Sequence, residues 1–395
     1  MKPHDRDALI TGIGLVSCLG EGADAHWTAI DRPGGFQTVV DTDRFAPYVV
    51  HPMVPLELDR QIPRRGDQRQ MEPWQRIGTY AAGLALESAG VKGDAALLGR
   101  MDMIVAAGGG ERDYAVDGQI MSALPGAANP GAYLNEHLLS DLRPTLFLAQ
   151  LSNLLAGNIS IVHGVVGSSR TFMGEEAAGT DAVRIACARI GAGQGDLCLV
   201  GGSFNAERPD VLLHYAMGGV LTQAPHAPLW QRQATTPGMA LGSLGCFLVI
   251  ESRAHAVARG ATPHARIAGI HTDRSRRGPG EATANAEAQL AALDPTLEQA
   301  AVISAASGAP AATREEAAFL KTLGLPVRAA ANAFGHSLEP SFPAALALGA
   351  LSLGHGRLFA PLEAAEAPMP GALSRILVNS WGNWRGEAMA LLTAP

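Results

Sequence analysis

The chain has 395 residues, enough for a large core and two lobes. Hydrophobic residues make up 47% and charged residues 17%, a composition that excludes a disordered chain. The net charge of −7 is spread without a basic block, so nucleic acid is not an expected partner. At the N-terminus, MKPHDRDALITGIG lacks a signal peptide, because its apolar run is short and holds Gly12 and Gly14. No uninterrupted apolar stretch of about 18 residues exists, so no membrane span is expected. Cys18, Cys187, Cys198 and Cys246 have neither CxxC nor metal-ligand spacing. Cys187 and Cys198, in a predicted buried helix and strand, read as small core residues in a reducing cytoplasm, the expected location.

In chain order, residues 8–11 predict a strand, and GIGLVSCLGEG after it predicts a loop. Residues 32–70 are rich in Pro, Arg and Asp and predict a surface excursion. A helix is expected within 71–86 and a strand at 101–107, ended by Gly108-Gly109-Gly110. Residues 111–145 predict mixed helix and loop. The stretch 170–205 is the most informative. A short apolar segment ends at Met173-Gly174, and a tight turn follows. Ala177, Ala178, Ala182, Val183, Ile185, Ala186 and Ile190 then recur at helical spacing. Gly191 and Gly193 stop that helix. Residues 197–200 predict a buried strand, broken by Gly201-Gly202. Further strands are expected at 247–251, 265–271 and 302–304, and a helix at 286–293. Periodicity alone yields an α/β protein with two lobes. The elbow before the 177–190 helix is where an enzyme places a nucleophile, since the positive end of the dipole lowers a thiol's pKa. Here the first turn holds Glu175 and Glu176, which an ordinary helix start also tolerates.

Several strings resemble the β-ketoacyl synthases, condensing enzymes of the thiolase superfamily. ITGIGLVSCLG is similar to their opening I-T-G-x-G-x-V-S-P-L-G. A GxG after a strand also occurs in nucleotide-binding loops, but the full GxGxxG is absent. In FLAQLSNLLAGNISI, Asn153, Ala156, Gly157, Ser160 and Ile161 match a family helix. The family's nucleophile motif is T-A-C-(S/A/T)-S-G. Setting its glycine on Gly179 puts Gly174-Glu175-Glu176 at T-A-C, and Gly195-Asp196 and Gly201-Gly202 then fall into place. In ATTPGMALGSLGCFLVIE, Gly242 and Gly245 match, and Ser243 replaces an acidic residue. Pro310 and Glu316 frame the A-H-G-T motif and put Ala305 at the first catalytic histidine. Gly335 and His336 match the second histidine motif. Ala331 takes the lysine position, and Glu339, Pro340, Ser341 and Phe342 replace small residues. In ILVNSWGNWRG, Asn379, Ser380 and Gly382 match.

The resemblance implies a thiolase-like fold: two duplicated βαβαβαββ halves, at 1–251 and 252–395, forming a five-layer αβαβα core. Condensation needs a thiolate, two imidazoles and a helix terminus. At the equivalent positions stand Glu176, Ala305 and His336. Cys187 lies more than two helical turns beyond the elbow and Cys198 lies in a strand, so neither replaces the thiol. The resemblance therefore points to a chain-length-factor-like subunit. Such a subunit pairs with an active ketosynthase and acts on chains held by acyl carrier protein, here of the aryl-polyene or related type II polyketide kind. It needs no cofactor and no metal. Glu176 reads either as a plug at the helix N-terminus or as drift in an unused pocket. His336 keeps a hydrogen-bonding role or is a satisfied buried histidine. Met173, Gly174, Glu175, Trp381 and Trp384 are expected at the substrate tunnel, with core packing as the other reading of the tryptophans. Two alternatives stand beside the subunit reading. One is a stand-alone malonyl-carrier-protein decarboxylase or acyltransferase using Glu176 and His336; the other is a homodimeric acyl-chain binder.

Overall fold

The computed structural model describes residues 4–293 and 295–395. Ten strands carry the fold: β1 (Ala8–Ser17), β2 (Asp102–Ala106), β3 (Ser169–Phe172), β4 (Leu197–Phe204), β5 (Leu244–Ser252), β6 (Ala265–Asp273), β7 (Ala300–Ser304), β8 (Val327–Ala329), β9 (Arg375–Trp381) and β10 (Glu387–Thr393). Six helices alternate with them: α1 (Pro73–Ser88), α2 (Leu154–His163), α3 (Glu176–Gly191), α4 (Glu281–Leu293), α5 (Pro310–Thr322) and α6 (Ser341–Gly354). Each half therefore reads βαβαβαββ. The spatial order in the first half is β3-β2-β4-β5-β1, and the second repeats it as β8-β7-β9-β10-β6. The pairing repeats too: the first three strands of each list are parallel, and the last two join antiparallel. The halves join where Ala8–Ile10 of β1 pairs with Ala265–Ile267 of β6.

Hydrophobic alternation sorts the layers. On one sheet face Ile104, Val200 and Ile250 meet Ala182, Val183 and Ala186 of α3. From the other half, Ile303, Ile376 and Val378 close on the same core with the buried helix α6. On the outer face of the first sheet, Met103, Leu199 and Val249 pack on α1 and α2. On the outer face of the second, Val302, Leu377 and Met389 pack on α4 and α5. The order is helices, sheet, α3 with α6, sheet, helices: the five layers expected. A sheet buried on both faces needs apolar residues in both registers, which β4 and β5 show along their whole length.

Two glycine motifs were read as breaks and are instead continuous strand. A Cβ on Gly12 would lie 2.5 Å from the Ala85 carbonyl, and one on Gly14 2.0 Å from that of Ala81. A Cβ on Gly201 would lie 2.1 Å from the Cys246 carbonyl. These glycines let helix and sheet backbones approach closely, so β1 runs to Ser17 and β4 to Phe204. Helix α1 opens with a capping box between Glu72 and Gln75 and with Pro73 in the first turn.

Candidate functional site

The elbow forms as expected. β3 ends at Phe172, and α3 begins at Glu176. Between them Gly174 has φ 131°, and Glu175 is held at φ 55°, ψ −134°, a backbone region that side-chain-bearing residues rarely adopt. That turn aims Glu176 inward, where it is 2% exposed. Two segments converge on it. His336 Nε2 lies 2.8 Å from its Oε1, the Asn383 amide donates to the same oxygen at 3.1 Å, and Gly382 lies against its other oxygen. Burial pushes the Glu176 carboxyl up. The His336 hydrogen bond and charge, its own amide and the Asn383 amide outweigh this and hold it below the usual range. His336 is fixed by its backbone: its N–H donates to the Ala240 carbonyl at 2.8 Å, and its carbonyl accepts from Gly242 N at 2.9 Å. Its Nδ1 has no hydrogen-bond partner among the described residues.

Ala305 follows β7 and is buried, its amide bonded to the Asn379 carbonyl at 2.8 Å. Ala331 is buried in the short helix before His336. Neither methyl can donate a hydrogen bond or carry charge. Behind Ala305, Glu316 accepts from Ser304 Oγ and Asn379 Nδ2, both at 2.8 Å. Burial there raises the Glu316 carboxyl to about 8.

A polar pocket of about 550 Å³ opens beside the elbow, lined by Glu175, Glu339, Arg208, Tyr215, His214 and the Gly108–Gly110 turn among others. Glu175 Oε1 accepts from Tyr215 Oη at 2.8 Å. Burial lifts the Glu175 carboxyl, and the neighbouring Glu176 adds to it. Tyr215 and Arg208 come from the helix Pro209–Met217 and its cap, which the sequence reading did not single out. Arg208 ties this wall together, bonding Asp210, Tyr114 and the Gly109 and Gly110 carbonyls.

The other expected tunnel residues separate. Met173 is exposed at the mouth of the elbow, and Trp384 is half-exposed in the turn after β9. Trp381 does not line the site. Strand alternation turns it to the outer face, where it stacks on Phe319 of α5 with centroids 5.9 Å apart. The four cysteines are free, and burial pushes the Cys18 and Cys187 thiols up to about 12. No described helix is long and apolar enough to cross a membrane.

Residues 5–256 match the family model for the β-ketoacyl synthase N-terminal domain. Nodulation protein E of Rhizobium leguminosarum bv. trifolii is 29% identical over 67% of this chain and 63% of its own length. The chain thus spans less than two thirds of that relative. The tetracenomycin polyketide synthase ketoacyl synthase beta subunit of Streptomyces glaucescens is 27% identical, covering 92% of this chain and 89% of its own. Among solved structures, the ishigamide ketosynthase/chain length factor superposes with a TM-score of 0.78 at 19% identity, over 99% of both chains. At that identity the likeness shows the fold.

Proposed function

The chain belongs to the β-ketoacyl synthase family, and on that premise we propose that it is a non-condensing, chain-length-factor-like subunit. It pairs with an active ketosynthase in fatty-acid or polyketide elongation, of polyene type, on chains carried by acyl carrier protein. One observation carries this reading: the first residue of α3, where the family's acyl-accepting thiol belongs, is a buried carboxylate bonded to His336. A carboxylate there cannot form the thioester, and Ala305 supplies no second imidazole. Losing one oxyanion donor alone costs about 10²–10³ in rate.

The face offered to a partner is the open side of β3. Among the described residues this strand pairs only with β2, and Ser169 and Arg170 on it are exposed. Ile161 of α2, Val166 and Met173 stand exposed on the segments around it. An unpaired edge flanked by apolar residues is a template for a second chain. The beta-subunit relative and the ketosynthase/chain length factor neighbour support the same reading.

The stand-alone alternative, a decarboxylase or acyltransferase using Glu176 and His336, is favoured by their 2.8 Å contact. The burial of both groups and the alanine at 305 argue against it. The test is co-expression with the ketosynthase encoded nearest to it, a tag on this chain only, and mass measurement of the eluate. A 1:1 heterodimer is expected. A homodimer with no ketosynthase bound refutes the subunit reading, and malonyl-carrier-protein decarboxylation with Glu176→Ala as control then tests the alternative.

A further inference from the structure

We propose that Glu339 is a partition: its side chain separates the polar pocket from the Glu176–His336 pair and sets how far an acyl tail can reach inside this subunit. The pocket wall includes Glu175, Leu338 and Glu339 but neither Glu176 nor His336. Glu339 stands at that boundary on two counts. A Cβ on Gly108, at the end of β2, would lie 2.7 Å from its Oε1. A Cβ on Gly179, in the first turns of α3, would lie 2.1 Å from its carbonyl oxygen. The residue therefore spans the gap between sheet end and elbow helix. Leu338 before it is held at φ 52°, and Pro340 follows, so its direction is set by a constrained backbone.

Its chemistry marks it as more than packing. Glu339 is 3% exposed. The one backbone hydrogen bond on its carboxyl comes from its own amide, and no other described residue donates to it. Burial raises this carboxyl to about 8, and Glu176 and Glu175 add to the shift. A buried carboxyl with so few donors is costly. It stands where a small side chain would leave the pocket continuous with the elbow. An apolar tail entering from the pocket meets an acid group instead of open space.

The inference deepens the non-condensing reading and rests on it. Glu176→Cys in the full-length chain supplies a reporter thiol at the elbow. Two probes are compared by intact mass: iodoacetamide, and an iodoacetamide bearing an octyl tail. The parent chain, with its four cysteines, sets the background. The readout is the ratio of octyl to small-probe labelling rates. Each methylene buried is worth roughly fourfold in binding, so a tail gaining even two buried methylenes raises that ratio by about tenfold or more. Adding Glu339→Gly, or Glu339→Ala should the glycine variant fail to fold, is expected to give that rise, and Glu339→Gln, which keeps the bulk, is expected to leave the ratio at the Glu176→Cys value. An unchanged ratio in the folded small-residue variant, or an equal rise with Gln, overturns the partition. Because the thiol is read in this chain alone, such a result leaves the partner reading standing. A failed co-elution likewise leaves the partition standing.

Discussion

Replacing Glu176 tests whether the carboxylate at the elbow is a working part of the fold. Its Oε1 serves two donors, His336 Nε2 at 2.8 Å and the Asn383 amide at 3.1 Å. Glu176→Ala strands both in a site only 2% exposed. Leaving a buried donor unsatisfied costs about 1–3 kcal/mol, so two amount to roughly 2–6. We therefore expect Glu176→Ala to lose about 4 kcal/mol. Glu176→Gln keeps an acceptor but no charge, and is expected to lose about 1 kcal/mol, the difference between charge-assisted and neutral hydrogen bonds. Urea unfolding at fixed protein concentration reads both through the midpoint, with an unchanged slope.

The pH dependence follows from the lowered carboxyl. A folded value below the unfolded one adds stability that is present above the unfolded value of 4.5 and lost as pH falls through the folded value. The gap between parent and Gln variant should therefore narrow on acidification below the carboxylate range. An Ala variant within about 0.5 kcal/mol of the parent, the range of a neutral surface change, would refute the reasoning and leave Glu176 as drift in an unused pocket.

Trp381→Ala is expected to cost about 3–5 kcal/mol by emptying the outer core beside Phe319, with Trp381→Phe recovering much of it; thermal unfolding measures this, and a loss below about 1 kcal/mol contradicts the placement. Glu316 has a folded value raised to about 8, so its stabilising effect is full below the unfolded 4.5 and lost as pH rises towards 8. Glu316→Gln should flatten a fall of up to about 1.4 kcal/mol per pH unit across that window in urea titrations, and an unaltered slope counts against it. Ile161→Asp combined with Met173→Asp, both exposed beside β3, should abolish co-elution with a ketosynthase while moving stability by no more than about 1 kcal/mol; retained co-elution would place the partner elsewhere.

The layered fold was legible where local pattern and global packing agree. The apolar spacing of 177–190 marked α3, and the turn before it marked the elbow. Glycines misled because their use here is non-local. Gly12 and Gly14 sit in a strand because α1, some seventy residues later, lies against them; no window around the glycines shows this. Strand β10 went unread, yet it bridges β9 to β6 and closes the second half. At the site, Glu176 and His336 were each found by motif, but their contact joins residues 160 apart. Tyr215 and Arg208 follow no motif and join the pocket only through the placement of the helix Pro209–Met217. Trp381 shows the same limit: a two-residue period decides which face it takes, and that face looks away from the elbow.

On the non-condensing reading proposed above, losing the chemistry while keeping the scaffold has a physical logic. The groups that would react contribute little to packing, and an alanine at 305 or 331 fills a buried position without an unsatisfied donor. The groups that hold the loops in place also hold the fold together. Glu316 binds Ser304 of β7 and Asn379 of β9 across neighbouring strands, and the Ala305 amide is bonded to β9 whatever its side chain. At the elbow itself, removing a nucleophile leaves a helix start whose dipole favours an anion. Glu176 supplies one that can also satisfy His336. A carboxylate is thus a stable occupant of this position, whereas an apolar residue would leave His336 Nε2 and the Asn383 amide without acceptors. On the proposed subunit reading, the paired sheets, the edge of β3 and the buried carboxylate at the elbow are what a chain needs to complete a neighbour's site rather than to run its own.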